Sequence, residues 1–148
     1  MVVESLAALM SIRKPFSSAI LEGRKLVELR RVPMRRPVSH IIMYESGGTA
    51  RIVGIFEVKR IVEERPSAIW RVYNGTTGLT KKEFDVYYAG KRLGIAIEVG
   101  EVMRLDEPLS LSELSLDRPP QNFQYVSPSA LARLLNARSK LASHEPMD

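Results

Sequence analysis

Gly23-Arg-Lys-Leu-Val-Glu-Leu-Arg30 is the stretch from which the fold of this chain can be worked out. Before it, apolar residues recur at helical spacing after Pro15, which favours the first turn of a helix, and Gly23 is suited to end that helix. After Gly23, apolar and charged residues alternate, so that Glu28 and Arg30 share one face of a predicted strand. A short helix is therefore predicted to end on glycine, with a charged strand directly behind it.

The patterns on either side of this stretch predict a fold with more strands than helices. Strands are predicted at residues 6–12, 25–31, 40–44, 51–61, 93–103 and 122–126. Helices are predicted at residues 66–73, after the capping box of Thr80 and Glu83, in one turn within 109–116, and from Ser127 onward. Because strands and helices do not alternate regularly, we expect an α+β fold. Its predicted form is a small β-barrel of about five to six strands, decorated with helices and followed by a C-terminal helix.

Length and composition limit the classes of protein to be considered. The 148 residues suit one domain, and 45% of them are hydrophobic, which is usual for a globular protein. There is no cysteine, so disulfides and thiolate metal sites are excluded. The first residues lack the basic start of a signal peptide, and no apolar run reaches the roughly 20 residues that span a bilayer. We therefore expect a cytoplasmic protein without a membrane partner.

The positive charge of the chain is concentrated in one segment. Six of the 22 basic residues lie at positions 24–36 beside a single acid, so this segment carries the whole net charge of +5. Such a local excess is typical of a surface that binds phosphates, although most charge runs are only solvated strand or loop. RNA or a nucleotide is the partner that this segment predicts, with Arg24 and Arg31 among the binding residues.

The common catalytic and metal-binding motifs are missing from the chain. Neither type of glycine-rich phosphate loop occurs, and the two histidines, His40 and His144, are far apart in the sequence. We expect neither a metal nor a cofactor, and we interpret His40, at the edge of a strand, as a structural residue.

The junction between helix and strand is the part of the sequence that could carry chemistry. Lys25 lies where partial burial would lower the pKa of its ammonium group. Glu28 can pair with Arg30 and hold its guanidinium as a fork for a phosphate or a base edge. The alternative interpretation is a surface salt bridge that contributes little energy.

At these residues the chain resembles the ASCH domains of the PUA-like superfamily. Their hallmark, G-x-K-x-x-E-x-R, is matched in full by Gly23, Lys25, Glu28 and Arg30. Further similar segments occur in the same order over residues 6–126, and the C-terminal residues 127–148 are predicted to add a helix and a loose tail. The similar segments are Leu9–Pro15, Ile41–Tyr44, Val53–Val58, Leu79–Phe84, Tyr88–Gly90, Gly94–Ile97 and Pro119–Tyr125.

The resemblance implies a β-barrel with a cleft lined by the hallmark residues, and RNA binding is the function generally proposed for such domains. On this chain it places Lys25, Glu28 and Arg30 at the cleft. Four residues outside the hallmark could join them: Ser11, Lys14, Gln121 and Phe123. Aromatic residues such as Tyr44, Trp70 or Phe123 could stack on a base, although core packing is the alternative for each of them.

Some proteins similar to this chain are amidohydrolases of an acylated cytidine, and this activity is the principal alternative. They use the motif lysine, a threonine three residues after it and a more distant glutamate. Lys25 matches the lysine, but Glu28 stands in place of the threonine and has no hydroxyl. No acid occurs between Glu64 and Glu83, where the glutamate would fall.

Three functions stay open on the sequence alone. The first is a module that binds RNA, including a single or modified base. The second is a hydrolase of a nucleoside amide or of RNA, with Lys25 and Glu28 as candidate catalytic residues. The third is a protein-interaction domain that uses the C-terminal leucine stripe at positions 131, 134, 135 and 141. The oligomeric state does not follow from the sequence.

Overall fold

A computed structural model of the protein describes residues 6–143, with side chains described as far as residue 136. The predicted features at residues 1–5 and 144–148, among them His144, lie outside the described residues. One sheet of six strands forms the centre of the fold. Its strands are β1 (Ala7–Arg13), β2 (Val27–Arg30), β3 (His40–Ser46), β4 (Ile52–Glu64), β5 (Gly94–Leu109) and β6 (Phe123–Val126).

Helices surround this sheet at the positions that their start and stop signals predict. They are α1 (Lys14–Leu21), α2 (Pro66–Tyr73), α3 (Lys81–Tyr87), α4 (Pro128–Ser143) and a 3-10 turn at Leu111–Leu114. The predicted capping box opens α3, since the amide of Glu83 donates to Thr80 Oγ1 over 3.1 Å and the amide of Thr80 to Glu83 Oε1 over 2.8 Å. Gly23, just after α1, has a φ of 78°, which is why glycine suits the end of this helix. None of the helices within residues 6–143 is long and apolar enough to cross a membrane.

The sheet has the strand order β2-β5-β4-β3-β1-β6, with β1 and β3 parallel and the other neighbours antiparallel. Register shifts interrupt the pairing of β4 with β5, and such irregularities bend and twist strands. A Cβ at Gly54 would lie only 2.9 Å from the carbonyl oxygen of Met103, so glycine allows the two strands to approach closely. The sheet curls into a half-closed barrel with helices outside, which confirms the predicted α+β, PUA-like fold.

Three clusters of buried side chains fill this architecture. One packs β1, β3, β4 and β5 against α4, a second packs the other faces of these strands against α1, and a third packs β2 and β5 against α2 and α3. Because β1 is buried on both faces, its sequence is apolar almost throughout and shows no alternation. The third cluster packs β2, which carries Glu28 and Arg30, against α3.

The C-terminal helix packs on the barrel of its own chain. Leu131 and Leu134 of α4 are buried in the first cluster, and Leu135 packs against it. This packing accounts for the leucine stripe that favoured an interaction domain, as far as its side chains are described. Leu141, also assigned to the stripe, has a side chain outside the described residues.

The two longest strands extend further than their apolar patterns predict. β5 ends at Leu109 and not near Met103, and β4 continues to Glu64 and not to Ile61. The extra residues are charged in part, so no hydrophobic signal marks them. Their backbone groups pair with each other from the Ile52–Leu109 end to the Glu64–Gly94 end, and this pairing determines the length of the strands.

Candidate nucleic-acid interface

A cleft of about 820 Å³ opens between β2, α3 and the segment that precedes β6. Its size lies within the range of small-molecule and cofactor sites, which is about 300–1,000 Å³. Five basic and two acidic side chains line it, so its net charge is positive. Its lining includes Ser11, Phe16, Lys25, Glu28, Arg30, Arg31, Val32, Lys82, Val86, Tyr87, Gln121 and Asn122.

Lys25 forms the floor of the cleft and is only 2% exposed. Its Nζ donates a hydrogen bond to the carbonyl oxygen of Thr77 and lies 3.6 Å from Glu28 Oε1. The Phe16 ring is also near, with its centroid 5.1 Å from Nζ. Burial lowers the pKa of Lys25, and the negative charge of Glu28 opposes that shift. The predicted lowering of this pKa is therefore found, with the predicted cause.

Two local backbone features place Lys25 in this position. Its amide nitrogen donates to the carbonyl oxygen of Ala19 over 3.1 Å, which ties the residue to the end of α1. On the other side, Gly78 has a φ of 78°, and a Cβ there would lie 3.4 Å from Lys25 Cδ. The turn at Thr77 and Gly78 thus lies against the lysine stem and presents a carbonyl oxygen to its ammonium group.

Glu28 lies between two cations in the wall of the cleft. It is 5% exposed, and its Oε2 accepts from Arg30 Nη1 over 3.2 Å, in addition to the ion pair with Lys25. The pairing of Glu28 with Arg30 is as the sequence predicts, but it is buried and not a surface salt bridge. The three hallmark side chains therefore form one buried network of charges in the order plus, minus, plus.

Arg30 also joins the two edges of the curled sheet. It lies on edge strand β2, and its Nε donates over 3.1 Å to the side chain of Asn122, next to edge strand β6. Nη2 donates to the carbonyl oxygen of Asn122 over 3.1 Å, and Nη1 to that of Ser11 over 3.4 Å. The guanidinium is a fixed fork, as predicted, but protein acceptors occupy it, so it is not open to a phosphate.

An aromatic and apolar wall faces this network of charges. The guanidinium of Arg31 lies 4.9 Å from the ring centroid of Tyr87, at a distance suited to a cation–π contact. The hydroxyl of Tyr87 donates to the carbonyl oxygen of Leu29 over 2.9 Å, and burial raises the pKa of this tyrosine. Val86 and Val32 are exposed at the rim. The wall offers flat and apolar surface beside positive charge.

The structure brings six of the nine predicted binding residues together at the cleft. They are Ser11, Lys25, Glu28, Arg30, Arg31 and Gln121. The other three lie elsewhere. Lys14 is exposed at the start of α1, Arg24 pairs with Glu22 at the surface over 2.6 Å, and Phe123 packs against the second core cluster. Each of the three lies close in sequence to a cleft residue, but its side chain does not line the cleft.

The aromatic side chains of the cleft differ from those expected from the sequence. Tyr44 is buried in the first core cluster, and Trp70 packs on Phe84 with ring centroids 5.0 Å apart. Phe16 and Tyr87 line the cleft in their place. Both occur in helical patterns, where an aromatic residue is usually a core residue, so nothing in the sequence alone distinguishes them.

Asn122 and Thr77 are the other residues that the sequence does not reveal. Asn122 lies in the similar segment Pro119–Tyr125, and only its hydrogen bonds to Arg30 show its importance. Thr77 contributes a backbone oxygen, which no side-chain pattern can indicate. His40 lies away from the cleft, where its Nδ1 is 2.8 Å from Ser39 Oγ. Among the described residues no group of three or more histidine or acidic side chains is placed to hold a metal ion.

The fold is similar to that of solved ASCH structures. The crystal structure of ASCH from Zymomonas mobilis matches with a TM-score of 0.79 and 22% identity, over 88% of this chain and 94% of that one. The curated protein named ASCH domain-containing ribonuclease, from Zymomonas mobilis subsp. mobilis, is 23% identical over 139 residues, 90% of this chain and 93% of that protein. The structural match confirms the fold that the resemblance implies.

The particular family follows from a family model that matches residues 10–115 and is described as a domain of unknown function, DUF365. The chain belongs to this family. A curated protein of different length also matches, the large ribosomal subunit protein uL22 of Ureaplasma parvum serovar 3, with 32% identity over 89 residues. This match covers 60% of the chain and only 29% of that relative.

Proposed function

We propose that the protein binds RNA and holds one nucleotide, with a normal or a modified base, in the cleft above Lys25, Glu28 and Arg30. The single observation that carries this proposal is the buried network of charges on the floor of a positively charged cleft. A buried network of this kind is costly to keep for stability alone, because desolvation offsets much of its attraction. A buried network of charges is therefore expected where the charges bind a ligand.

The chemistry of the floor suits the edge of a base. Lys25 offers N–H donors, of which one is bonded to Thr77, and Glu28 offers carboxylate oxygens of which one accepts from Arg30. A donor beside an acceptor matches the alternating groups on the edges of the bases. Because both side chains are buried, their hydrogen bonds to a ligand are stronger than the same bonds in water.

The walls of the cleft suit an unpaired nucleotide more than a duplex. Proteins that bind single-stranded RNA stack its bases on aromatic rings or guanidinium planes, and Tyr87 with Arg31 offers both. Arg31, with Arg35 and Arg36 of the following loop, would attract the phosphates. The Zymomonas relative named a ribonuclease supports RNA as the class of ligand. We also propose that the protein is located in the cytoplasm, as expected from the sequence.

The test is binding of a short single-stranded RNA to matched variants, followed by fluorescence anisotropy. Lys25→Met should weaken binding by about tenfold or more, since one hydrogen bond to a charged group contributes about 1.5–3 kcal/mol. Lys59→Met removes the same charge from the exposed part of β4, and we expect only the small change due to net charge. Equal affinities for the two variants would contradict a cleft centred on Lys25.

RNA cleavage is a second candidate function, favoured by two observations. Burial lowers the pKa of Lys25, which increases the neutral form that can accept a proton, and Glu28 lies 3.6 Å away as a second group. A relative of similar length is named a ribonuclease. Incubation of labelled RNA with the wild type, Lys25→Met and Lys59→Met tests this candidate. Products from the wild type and Lys59→Met alone would support it, and no product from any of the three would exclude it for that RNA.

The amidohydrolase alternative lacks a specific observation in its favour. The turn of Thr77 and Gly78 does lie against Lys25, close to the sequence position where those enzymes have a glutamate. It brings a backbone carbonyl and no carboxylate to the lysine. We therefore propose binding first and RNA cleavage second.

A further inference from the structure

Every donor of Arg30 is already used within the protein. The guanidinium has five N–H groups, and they are directed to Asn122 Oδ1 (from Nε and from Nη2), to the carbonyl oxygens of Asn122 and Ser11, and to Glu28 Oε2. A ligand could bind this arginine only by displacing one of these partners. The arginine of the hallmark therefore acts on the cleft through the residues that it holds.

The residue held most firmly is Asn122. Two guanidinium nitrogens donate to the same amide oxygen, and because arginine has no acceptor, only Oδ1 of the amide can face it. The orientation of the amide is thereby determined, and Nδ2 is turned away from the guanidinium. Nδ2 makes no hydrogen bond with any residue in the described part of the chain, although the side chain lines the cleft. An oriented amide with two unused donors is suited to recognise a ligand.

We propose that Asn122 is a specificity-determining residue of the cleft and that its Nδ2 donates to a carbonyl oxygen of the bound base, with Arg30 as its positioning residue. The inference rests on the proposed binding of a nucleotide. Uracil, cytosine and guanine carry such an oxygen, whereas adenine carries an amino group and ring nitrogens. An adenine placed in the same way would set its amino N–H donors against those of Nδ2, so we expect the cleft to favour the three carbonyl-bearing bases over adenine.

The variant Asn122→Asp tests this role without breaking the contact to Arg30. A carboxylate accepts from the two guanidinium nitrogens at least as well as an amide does, so the fold is retained. The ligand donor is lost, because a carboxylate offers only acceptors. Gln124→Glu is the matched control, since it adds the same charge to an exposed residue two positions away that does not line the cleft.

The readout is the ratio of the affinities for uridine and adenosine 5′-monophosphate, measured by NMR titration. Both probes carry the same phosphate, so the ratio is insensitive to the added charge. We expect the wild type and Gln124→Glu to prefer the uridine nucleotide, and Asn122→Asp to lose about tenfold in this ratio, as one hydrogen bond predicts. In the wild type, the side-chain amide signals of Asn122 should also shift with the uridine nucleotide, a measurement that does not depend on any variant folding.

The outcomes separate this inference from the proposal on which it rests. If the wild type binds nucleotides but Asn122→Asp keeps its preference, or the amide signals do not shift, the role of Asn122 is refuted while the cleft stands. Equal losses for both nucleotides would mean that Nδ2 contacts the phosphate and not the base, which also overturns the inference. If the wild type binds neither nucleotides nor RNA, the proposed function itself is wrong.

Discussion

Replacing Glu28 by glutamine is the sharpest test of the buried network of charges. The substitution keeps the shape of the side chain and an oxygen acceptor, and it removes only the negative charge. In the wild type Lys25 is 2% exposed, and the side chain of Arg30 is 14% exposed. In the variant both lose the Glu28 carboxylate, which lies 3.6 Å from Lys25 and 3.2 Å from Arg30. Two cations stay in the wall of the cleft without their shared counterion.

The expected cost of Glu28→Gln is large in comparison with ordinary substitutions. Removing one partner of a buried ion pair costs about 3–5 kcal/mol, because the remaining charge is not compensated. This is a substantial part of the roughly 5–15 kcal/mol that holds a domain folded. For a domain of this size we expect the melting temperature to fall by about 10–20 °C.

Thermal and urea unfolding of four variants measures this cost and its origin. Glu64→Gln, at an exposed end of β4, is the control for the loss of one carboxylate. Lys25→Met is expected to cost less than Glu28→Gln, because burial already disfavours the charged lysine, as its lowered pKa shows. The double variant Lys25→Met/Glu28→Gln should recover about 2–3 kcal/mol relative to Glu28→Gln alone, since one unpaired cation is gone with the anion.

The pH dependence of stability gives an independent measurement of the same network. The unfolded chain holds the lysine proton up to about its ordinary pKa of 10.5, while the folded chain releases it earlier. Between these two values the unfolded state binds more protons, so stability rises with pH. In Glu28→Gln the rise should begin at a lower pH, because the anion that favours the charged lysine is absent, and the contribution of Lys25 should vanish once Lys25→Met is added. Unfolding of Glu28→Gln within about 1 kcal/mol of the wild type, without this pH dependence, would refute the reasoning.

Two further predictions concern the basic segment and the C-terminal helix. Arg31→Ala/Arg35→Ala should reduce the salt dependence of RNA binding by about 1.4 in the slope of log K against log salt, because each phosphate contact to single strands contributes about 0.7. Arg24→Ala, outside the cleft, should leave that slope unchanged, and an equal effect of Arg24→Ala would contradict the assignment. Leu134→Ala should lower the free energy of unfolding by about 2–5 kcal/mol, since this fully buried leucine packs on the barrel. Arg133→Ala, at the exposed neighbouring residue, is the control. If Leu134→Ala left the free energy of unfolding unchanged, that result would instead support α4 as a binding surface for a partner.

Local signals in the sequence were sufficient for most of the elements and for the hallmark. Pro15 and Gly23 mark the two ends of α1, and Thr80 with Glu83 marks the start of α3, because these signals act within one turn of helix. The full lengths of β4 and β5 could not be predicted, since the pairing of one strand with the other extends both through charged residues. Strand length here is a property of two distant segments and not of either pattern alone.

The candidate site was predicted where its residues are close in sequence. Glu28 and Arg30 lie on one face of a strand, so their spacing predicts that they pair, and the resemblance to ASCH domains implies that Lys25 joins them. Asn122 is 92 positions away from Arg30, and only the curl of the sheet brings it within hydrogen-bond distance. Phe123 follows Asn122 directly in the sequence, but its side chain packs against the second core cluster. Closeness in sequence therefore does not place a residue in the cleft.

The sequence by itself determined the class of fold, the concentration of positive charge at residues 24–36 and the identity of the hallmark triad. The fold class and the charge depend on periodicity and composition, which are properties of neighbouring residues, and the triad is recognised by its resemblance to the ASCH hallmark. Tertiary structure alone decided that Glu28 is buried, that Arg30 is engaged by Asn122 across the edges of the sheet, and that Tyr87 faces the cleft. The physical reason is that burial and side-chain partners arise only when the curled sheet brings distant segments together and excludes water between them.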